Sequence, residues 1–272
     1  MPELPEVETL RRALLPIAQD HVLRDLHFLR PDLRFPIPVK TLRRELSGRK
    51  IHTITRQGKY LLLHAANGAM LWHLGMSGRV IQRPSLEPAE KHTHAVFRFE
   101  PDTHLHFVDP RRFGAILWVP MEGQHPLLDR LGPDPLAATT TGKILHQKAR
   151  QCRGPIKTFL MNAARLAGVG NIYACEALFE AGFSPRRGAH RLSVKSWDRL
   201  LFALRRILEN SIEAGGASLR DFFRTDGSPG YYRFKLAVYG RENKPCPKCV
   251  QKVRRIVQSG RSTFFCPGCQ KK

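Results

Sequence analysis

The first eight residues, Met1-Pro2-Glu3-Leu4-Pro5-Glu6-Val7-Glu8, hold groups suited to covalent catalysis. Loss of Met1 leaves Pro2 with a free secondary amine, and Glu3 and Glu6 follow within about one helical turn. An α-amino group has a pKa of about 7.7–8.0, against about 10.4 for a lysine amine, so more of it is neutral and nucleophilic near neutral pH. Attack on a carbonyl-like carbon makes a Schiff base. From a secondary amine that adduct is a charged iminium, a strong electron sink. The plainer reading is a helix start, with proline tolerated in the first turn and glutamates favoured by the helix dipole.

A second group is metal-binding. Cys246-x2-Cys249, sixteen residues, then Cys266-x2-Cys269 has the spacing of a four-thiolate zinc site. Lys252 to Gln258 and Arg261 to Phe265 read as two short strands joined by Ser259-Gly260, which makes a zinc-pinned hairpin. About 35 residues do not fold stably without such a staple. Two disulfides are the alternative, disfavoured in a reducing cytosol. Cys152 and Cys175 are left over and read as plain buried thiols.

Other residues suit phosphate and base contacts. Gly168-Val169-Gly170-Asn171, a glycine loop before a helix N-terminus, reads either as a simple tight turn or as a place where free N–H groups meet a phosphate. Lys59 after Gly58, and Arg261 in the hairpin turn, read either as further candidate phosphate contacts or as ordinary solvated charges. Asp109-Pro110-Arg111-Arg112-Phe113-Gly114 lies between two strands. It reads either as a core Phe113 beside surface arginines, or as an aromatic wedge with an Arg filling the space of an extruded base. Met76, in His73-Leu74-Gly75-Met76-Ser77-Gly78, is odd as core because turns are usually exposed.

Charge favours the second kind of reading. The 272 residues carry 45 Lys+Arg against 23 Asp+Glu, a formal net charge of +22, in a chain 42% hydrophobic. That balance describes a folded binder of polyanions, with nucleic acid ahead of a membrane surface. No apolar run approaches about 18 residues and the start lacks a signal-peptide layout, so a cytoplasmic protein is expected.

Positioning these groups requires three kinds of element. Val7, Leu10, Leu14 and Ile17 have helical spacing over residues 3–15, with Pro16 ending or kinking the helix. From about residue 22 to 120 the pattern is strand-like, in runs at Tyr60–Leu63, Met70–Leu74, Ala95–Phe99, His104–Val108 and Ala115–Val119. Gly132-Pro133-Asp134-Pro135 reads as a hinge. Beyond it Ile156, Phe159, Leu160 and Ala163 line one helix face. Asn171 is placed as the cap of a second helix carrying Ile172, Cys175, Leu178 and Phe179. Ser193 caps a third, with Trp197, Leu200, Leu201, Leu204, Leu208 and Ile212, ending at Gly215-Gly216. The expected fold is α+β: a β domain over 1–131 with a leading helix, a helical domain over 136–238 and a zinc hairpin over 239–272.

In order along the whole chain, MPELPE, GKYLL, HLGMSG, DPRRFGA, IKxxLM, GVGNIYA, DGxPGY, VYGR and the four-cysteine finger resemble the bacterial formamidopyrimidine-DNA glycosylase family. These are bifunctional base-excision repair enzymes for oxidised purines such as 8-oxoguanine and formamidopyrimidines. The resemblance implies an N-terminal β-sandwich, a helix–two-turn–helix domain and a zinc finger with one structural Zn2+. It also implies a monomer binding double-stranded DNA with oxidised bases or abasic sites between the domains, at the nucleoid. On that resemblance Pro2 is the nucleophile, Glu3 the general acid/base and Glu6 its support. Lys59 joins the catalytic group and, with His73, Asn171 and Arg261, grips phosphates. Lys157 is a further phosphate or lesion contact. Met76, Arg111 and Phe113 form an insertion triad, with Arg111 facing the orphaned cytosine. Thr225, Asp226, Gly227, Ser228 and Tyr231 belong to a loop covering the extruded purine. Schiff-base formation is followed by β,δ-elimination. The chain departs from the family pattern at Val250, where glycine is common, at Ala217-Ser218 and at Asn162. Two other readings fit parts of the sequence: the related endonuclease VIII branch, which favours oxidised pyrimidines, and a DNA binder without catalysis.

Overall fold

The computed structural model describes residues 2–83, 89–121, 125–216 and 235–271; the expected cover loop at 225–231 and Ala217 lie outside them. The chain divides into two compact units, Met1–Asp129 with Ile212–Arg233, and Arg130–Ser211 with Phe234–Lys272.

The first unit is a β-sandwich behind a leading helix, α1 (Leu4–Ala18). Its strands are β1 (Val22–Phe28), β2 (Arg49–Lys50), β3 (Thr53–Gln57), β4 (Tyr60–Ala65), β5 (Gly68–His73), β6 (Arg79–Arg83), β7 (Thr93–Phe99), β8 (Thr103–Val108) and β9 (Ala115–Pro120), with α2 (Val39–Leu46) between β1 and β2 and α3 (Pro126–Asp129) after β9. They form a five-stranded sheet, β2-β1-β7-β8-β6, and a four-stranded one, β3-β4-β5-β9. Every pairing is antiparallel. Side chains alternate across a strand, and β4 shows the result. Leu61 and Leu63 enter the core shared with Phe97, Phe107, Trp72 and Ile116, whereas Leu62 joins Leu71 and Val119 in a separate cluster. Val7, Leu10 and Leu14 bring α1 into the shared core. The helix continues through Pro16 to Ala18, three residues beyond the expected span; Pro16 forgoes one i→i−4 bond, and burial of Leu14 and Ala18 in the core holds the last turn in place. Helix α2 was not expected within the strand-like region.

In the second unit, α4 (Gly142–Ala149), α5 (Ile156–Leu160), α6 (Asn171–Glu180) and all but the last two residues of α7 (Val194–Glu213) precede a hairpin of β10 (Arg254–Gln258) and β11 (Arg261–Phe265). Ser193 caps α7 as expected, its Oγ accepting from Ser196 N at 3.3 Å. Trp197, Leu200, Leu201, Leu204 and Leu208 are buried. Ala163 lies beyond α5 and is exposed, because the helix closes at Leu160. The segment expected as a hinge bonds within the second unit: Gly132 N donates to Ala163 O at 2.8 Å, and Ala167 N donates to Pro133 O at 3.0 Å. The first hairpin strand begins at Arg254, with Lys252 making only an isolated bridge to Pro245. Among the described residues no helix is long and apolar enough to cross a membrane.

Candidate active site and metal centre

In the first unit the acidic start closes into a capping box. Glu3 is the N-cap of α1, its backbone N–H donates to Glu6 Oε2 at 2.8 Å, and its own carboxylate accepts from the Glu6 backbone. Pro2, Glu3 and Glu6 are all buried. The helix start is therefore present, and it is built from the same residues as the candidate nucleophile and acids. One turn on, buried Glu8 accepts from Arg11, from Arg12 Nε at 3.0 Å and from Arg56 Nε at 3.2 Å. Burial works to raise the Glu8 carboxyl, but hydrogen bonds from Arg11 and Arg12 and the charges of Arg11 and Arg56 outweigh it and hold the group below its usual range. Arg56 stands on β3, so this cluster pins α1 to the sheet.

Lys59 is half-buried in the two-residue turn between β3 and β4, where Gln57 pairs with Tyr60. Gly58 has φ +58°, as a hairpin turn with glycine first requires. His73 ends β5. Its Nδ1 accepts from Gly75 N at 3.1 Å, which leaves the ring proton on Nε2. Burial, then the charges of Lys59 and Arg34, push its pKa down to about 4. At neutral pH this imidazole is an uncharged donor. Met76 is half-buried in the following turn, not exposed as turns usually are. Phe113 is 44% exposed, which excludes the core reading, and the Arg111 guanidinium lies 4.9 Å from its ring centroid.

In the second unit the N-cap of α6 is Gly170, not Asn171. Asn171 instead turns its amide to the hairpin, Nδ2 donating to Ser262 O at 2.9 Å. Lys157 makes a parallel link. It is 1% exposed, and its Nζ donates to Thr263 Oγ1 at 2.6 Å and lies 3.4 Å from Ser262 O. Arg261 begins β11 and is exposed after the Ser259-Gly260 turn, whose φ angles of 48° and 71° suit a tight hairpin. Lys157, Thr158, Met161, Gln258, Ser259 and Arg261 line a depression of about 230 Å³. Nothing in the sequence singled out Glu176. This buried carboxylate accepts backbone N–H bonds from Ala237 at 2.8 Å, Val238 at 3.0 Å and Tyr239 at 2.7 Å. Burial pushes it above the usual range, while those three donors and Arg241 pull the other way. It fixes Tyr239, whose ring packs on Phe264 of the hairpin.

The sulfurs of Cys246, Cys249, Cys266 and Cys269 lie within 4.8 Å of one another, with Cys246–Cys269 at 3.8 Å and Cys249–Cys266 at 3.4 Å. A tetrahedron with Zn–S bonds of about 2.3 Å has edges of about 3.8 Å, so this donor set fits zinc. Cys175 packs beside the cluster and is not one of the four. Val250, after the second cysteine, sits at φ 55° and is 81% exposed. A β-branched residue in the left-handed region is strained, which explains why glycine is common there. Val250→Gly is expected to stabilise the second unit by up to about 1 kcal/mol, the relief being partly offset by the freer unfolded chain. A thermal melt with no rise in Tm would contradict this.

The chain matches three family models in order. They are the Formamidopyrimidine-DNA glycosylase N-terminal domain over residues 1–116, its H2TH domain over 131–223, and the zinc finger found in FPG and IleRS over 243–272. Together these are the parts of a zinc-finger DNA-repair glycosylase. The Formamidopyrimidine-DNA glycosylase of Magnetococcus marinus is 44% identical over 274 residues, covering 100% of both chains. The MutM (Fpg) protein from Thermus thermophilus is 41% identical, with a TM-score of 0.88 over 99% of this chain and 98% of that one. A MutM solved with DNA containing carbocyclic 8-oxo-G is 33% identical, with a TM-score of 0.90 and 100% of both chains covered. The chain belongs to the formamidopyrimidine-DNA glycosylase family, and its four finger cysteines hold one structural zinc.

Proposed function

We propose that the chain removes oxidised purines from duplex DNA and then cleaves the strand, using Pro2 as a covalent nucleophile once Met1 is lost. The observation that carries this reading is the capping box, which holds Glu3 and Glu6 in one buried cluster beside Pro2. The amine adds to C1′ as the base departs with a proton from Glu3. The amine gives up its proton, and breakage of the C1′–O4′ bond with a proton delivered to O4′ opens the sugar to the iminium. This acidifies the C2′ proton, whose removal expels the 3′ phosphate, and a second elimination expels the 5′ phosphate. Glu6 holds the Glu3 main chain in place.

Lys59 and neutral His73 of the first unit, and Asn171 and Arg261 of the second, each meet backbone phosphates, Arg261 as an exposed cation and His73 as an N–H donor. Buried Lys157 and exposed Arg261 line the same depression, where Lys157 is assigned to phosphate or lesion contact. Met76, Arg111 and Phe113 enter the gap left by the extruded base, and half-exposed Phe113 beside the Arg111 guanidinium suits that role. Residues Thr225, Asp226, Gly227, Ser228 and Tyr231 are assigned to covering the base on the strength of the resemblance alone. The +22 charge supports duplex DNA as partner and a nucleoid location. The 8-oxo-G in the DNA of the related MutM complex favours purine lesions.

The test is excision with borohydride trapping on duplexes holding 8-oxoguanine, a formamidopyrimidine or thymine glycol. Excision and a covalent adduct are expected on the two purine lesions. Preference for thymine glycol would assign the chain to pyrimidine repair, and binding without an adduct would remove the lyase step.

A further inference from the structure

Two turns of the first unit carry the three side chains assigned to insertion, and one carboxylate ties those turns together. Asp109 is fully buried at the end of the strand before Arg111 and Phe113. Its Oδ1 accepts from Ser77 Oγ at 2.7 Å, across 32 residues of sequence, and its Oδ2 accepts from Gly114 N at 2.7 Å. The Arg111 N–H is shared between Ser77 Oγ at 3.2 Å and Asp109 Oδ1 at 3.3 Å. The Asp109 carbonyl accepts from His94 Nε2 at 2.8 Å and from Arg112 N at 3.1 Å, and its own N–H donates to His92 O at 3.0 Å.

The two main chains are also in direct contact. At Gly75, where φ is +62°, a Cβ would stand 2.3 Å from the Phe113 carbonyl carbon and 2.5 Å from Gly114 N. At Gly114 a Cβ would stand 3.0 Å from Asp109 Oδ2 and 2.9 Å from His73 O. No side chain fits between the turns at either point. Met76 adjoins Ser77, Arg111 donates through its own backbone, and Phe113 adjoins Gly114. Each insertion side chain is thus within one residue of a group bonded to Asp109.

We propose that Asp109 is a positioning residue that welds the Met76 turn and the Arg111–Phe113 turn into a single rigid wedge. The proposal rests on the insertion role given above to those three side chains. Driving a side chain into a stack costs a few kcal/mol of unstacking. Turns free to slide past each other would give way, and the bases would stay stacked. A buried carboxylate that spans both turns removes that freedom before DNA arrives, and it sets the angle at which Arg111 meets the orphaned base.

The experiment compares wild type, Asp109→Asn and Ser77→Ala on three duplexes: 8-oxoguanine opposite cytosine, 8-oxoguanine opposite adenine, and a preformed abasic site opposite cytosine. Wild type is measured first; if it excises no oxidised purine, the functional reading fails before the wedge is tested. With wild type active, Asp109→Asn is expected to slow single-turnover excision by about tenfold or more and to narrow the cytosine-to-adenine preference, since the amide cannot accept at both oxygen positions. Strand cleavage and trapping on the abasic duplex, which has no damaged base to extrude, are expected to stay within about threefold. Ser77→Ala cuts only the link between the turns and is expected to narrow the same preference less. Unchanged excision and preference in both variants would overturn the proposal, as would an equal loss on the abasic duplex. Should Asp109→Asn fail to fold, Ser77→Ala decides alone: an unaltered preference refutes the weld.

Discussion

A form of the protein extended before Met1, so that Pro2 remains in a peptide bond, is expected to give no borohydride adduct with an abasic duplex. Its strand-cleavage rate should fall by about a thousandfold or more, equivalent to about 4 kcal/mol of barrier. An amide nitrogen shares its lone pair with the carbonyl and cannot attack C1′. The rest of the cluster is set by the capping box, in which the Glu3 N–H is held by Glu6, so the two carboxylates keep their places. Affinity for undamaged duplex is therefore expected to stay near that of the processed protein. Equal trapping by the extended and processed forms, with the extension confirmed by mass spectrometry, would remove Pro2 from the chemistry.

Cys266→Ser should abolish stoichiometric zinc binding and reduce affinity for damaged and undamaged duplexes alike, by at least about a hundredfold. The cysteine is fully buried, and a structural zinc site contributes about 10–16 kcal/mol to the fold it closes. Without the hairpin, Asn171 and Lys157 both lose their acceptors at Ser262 and Thr263, and Arg261 has no fixed place. The first unit has its own core, so near-ultraviolet circular dichroism should lose only part of its signal. Metal analysis and fluorescence anisotropy check the prediction; a zinc-free variant that binds duplex normally would refute it.

What could be read before folding was whatever repeats at short range. Short runs bounded by Gly, Pro or Asp exposed β4, β5, β7, β8 and β9, and the 3.6-residue period exposed α1 and α7. The cysteine spacing exposed the hairpin, because two knuckles on one turn state their chemistry locally. Helix α2 escaped notice because it offers only Leu42 and Leu46 as buried positions, too few to set a period among strands. Asparagine before an apolar run is usually a cap; here a hairpin ninety-one residues later competes for the Asn171 amide and takes it. The polar framework was the least legible part. Glu8 meets Arg56 across 48 residues, Asp109 meets Ser77 across 32, and Glu176 meets Tyr239 across 63. Glu8 and Asp109 have local donors as well, but no local pattern marks the long-range partner that ties each carboxylate to a second element.

Lys157 and Glu176 are almost sealed from water, at 1% and 5% exposed, whereas Arg261 stands in the open. Mobile counterions reach the latter and scarcely touch the former. With Arg261 gripping phosphate as proposed, raising ionic strength loosens the hold on a polyanion while leaving the shape of the surface around it as it was. Such a protein can let go, diffuse a short way and seize the next stretch without rebuilding itself, which suits a molecule that must sample many sound sites to find a flawed one.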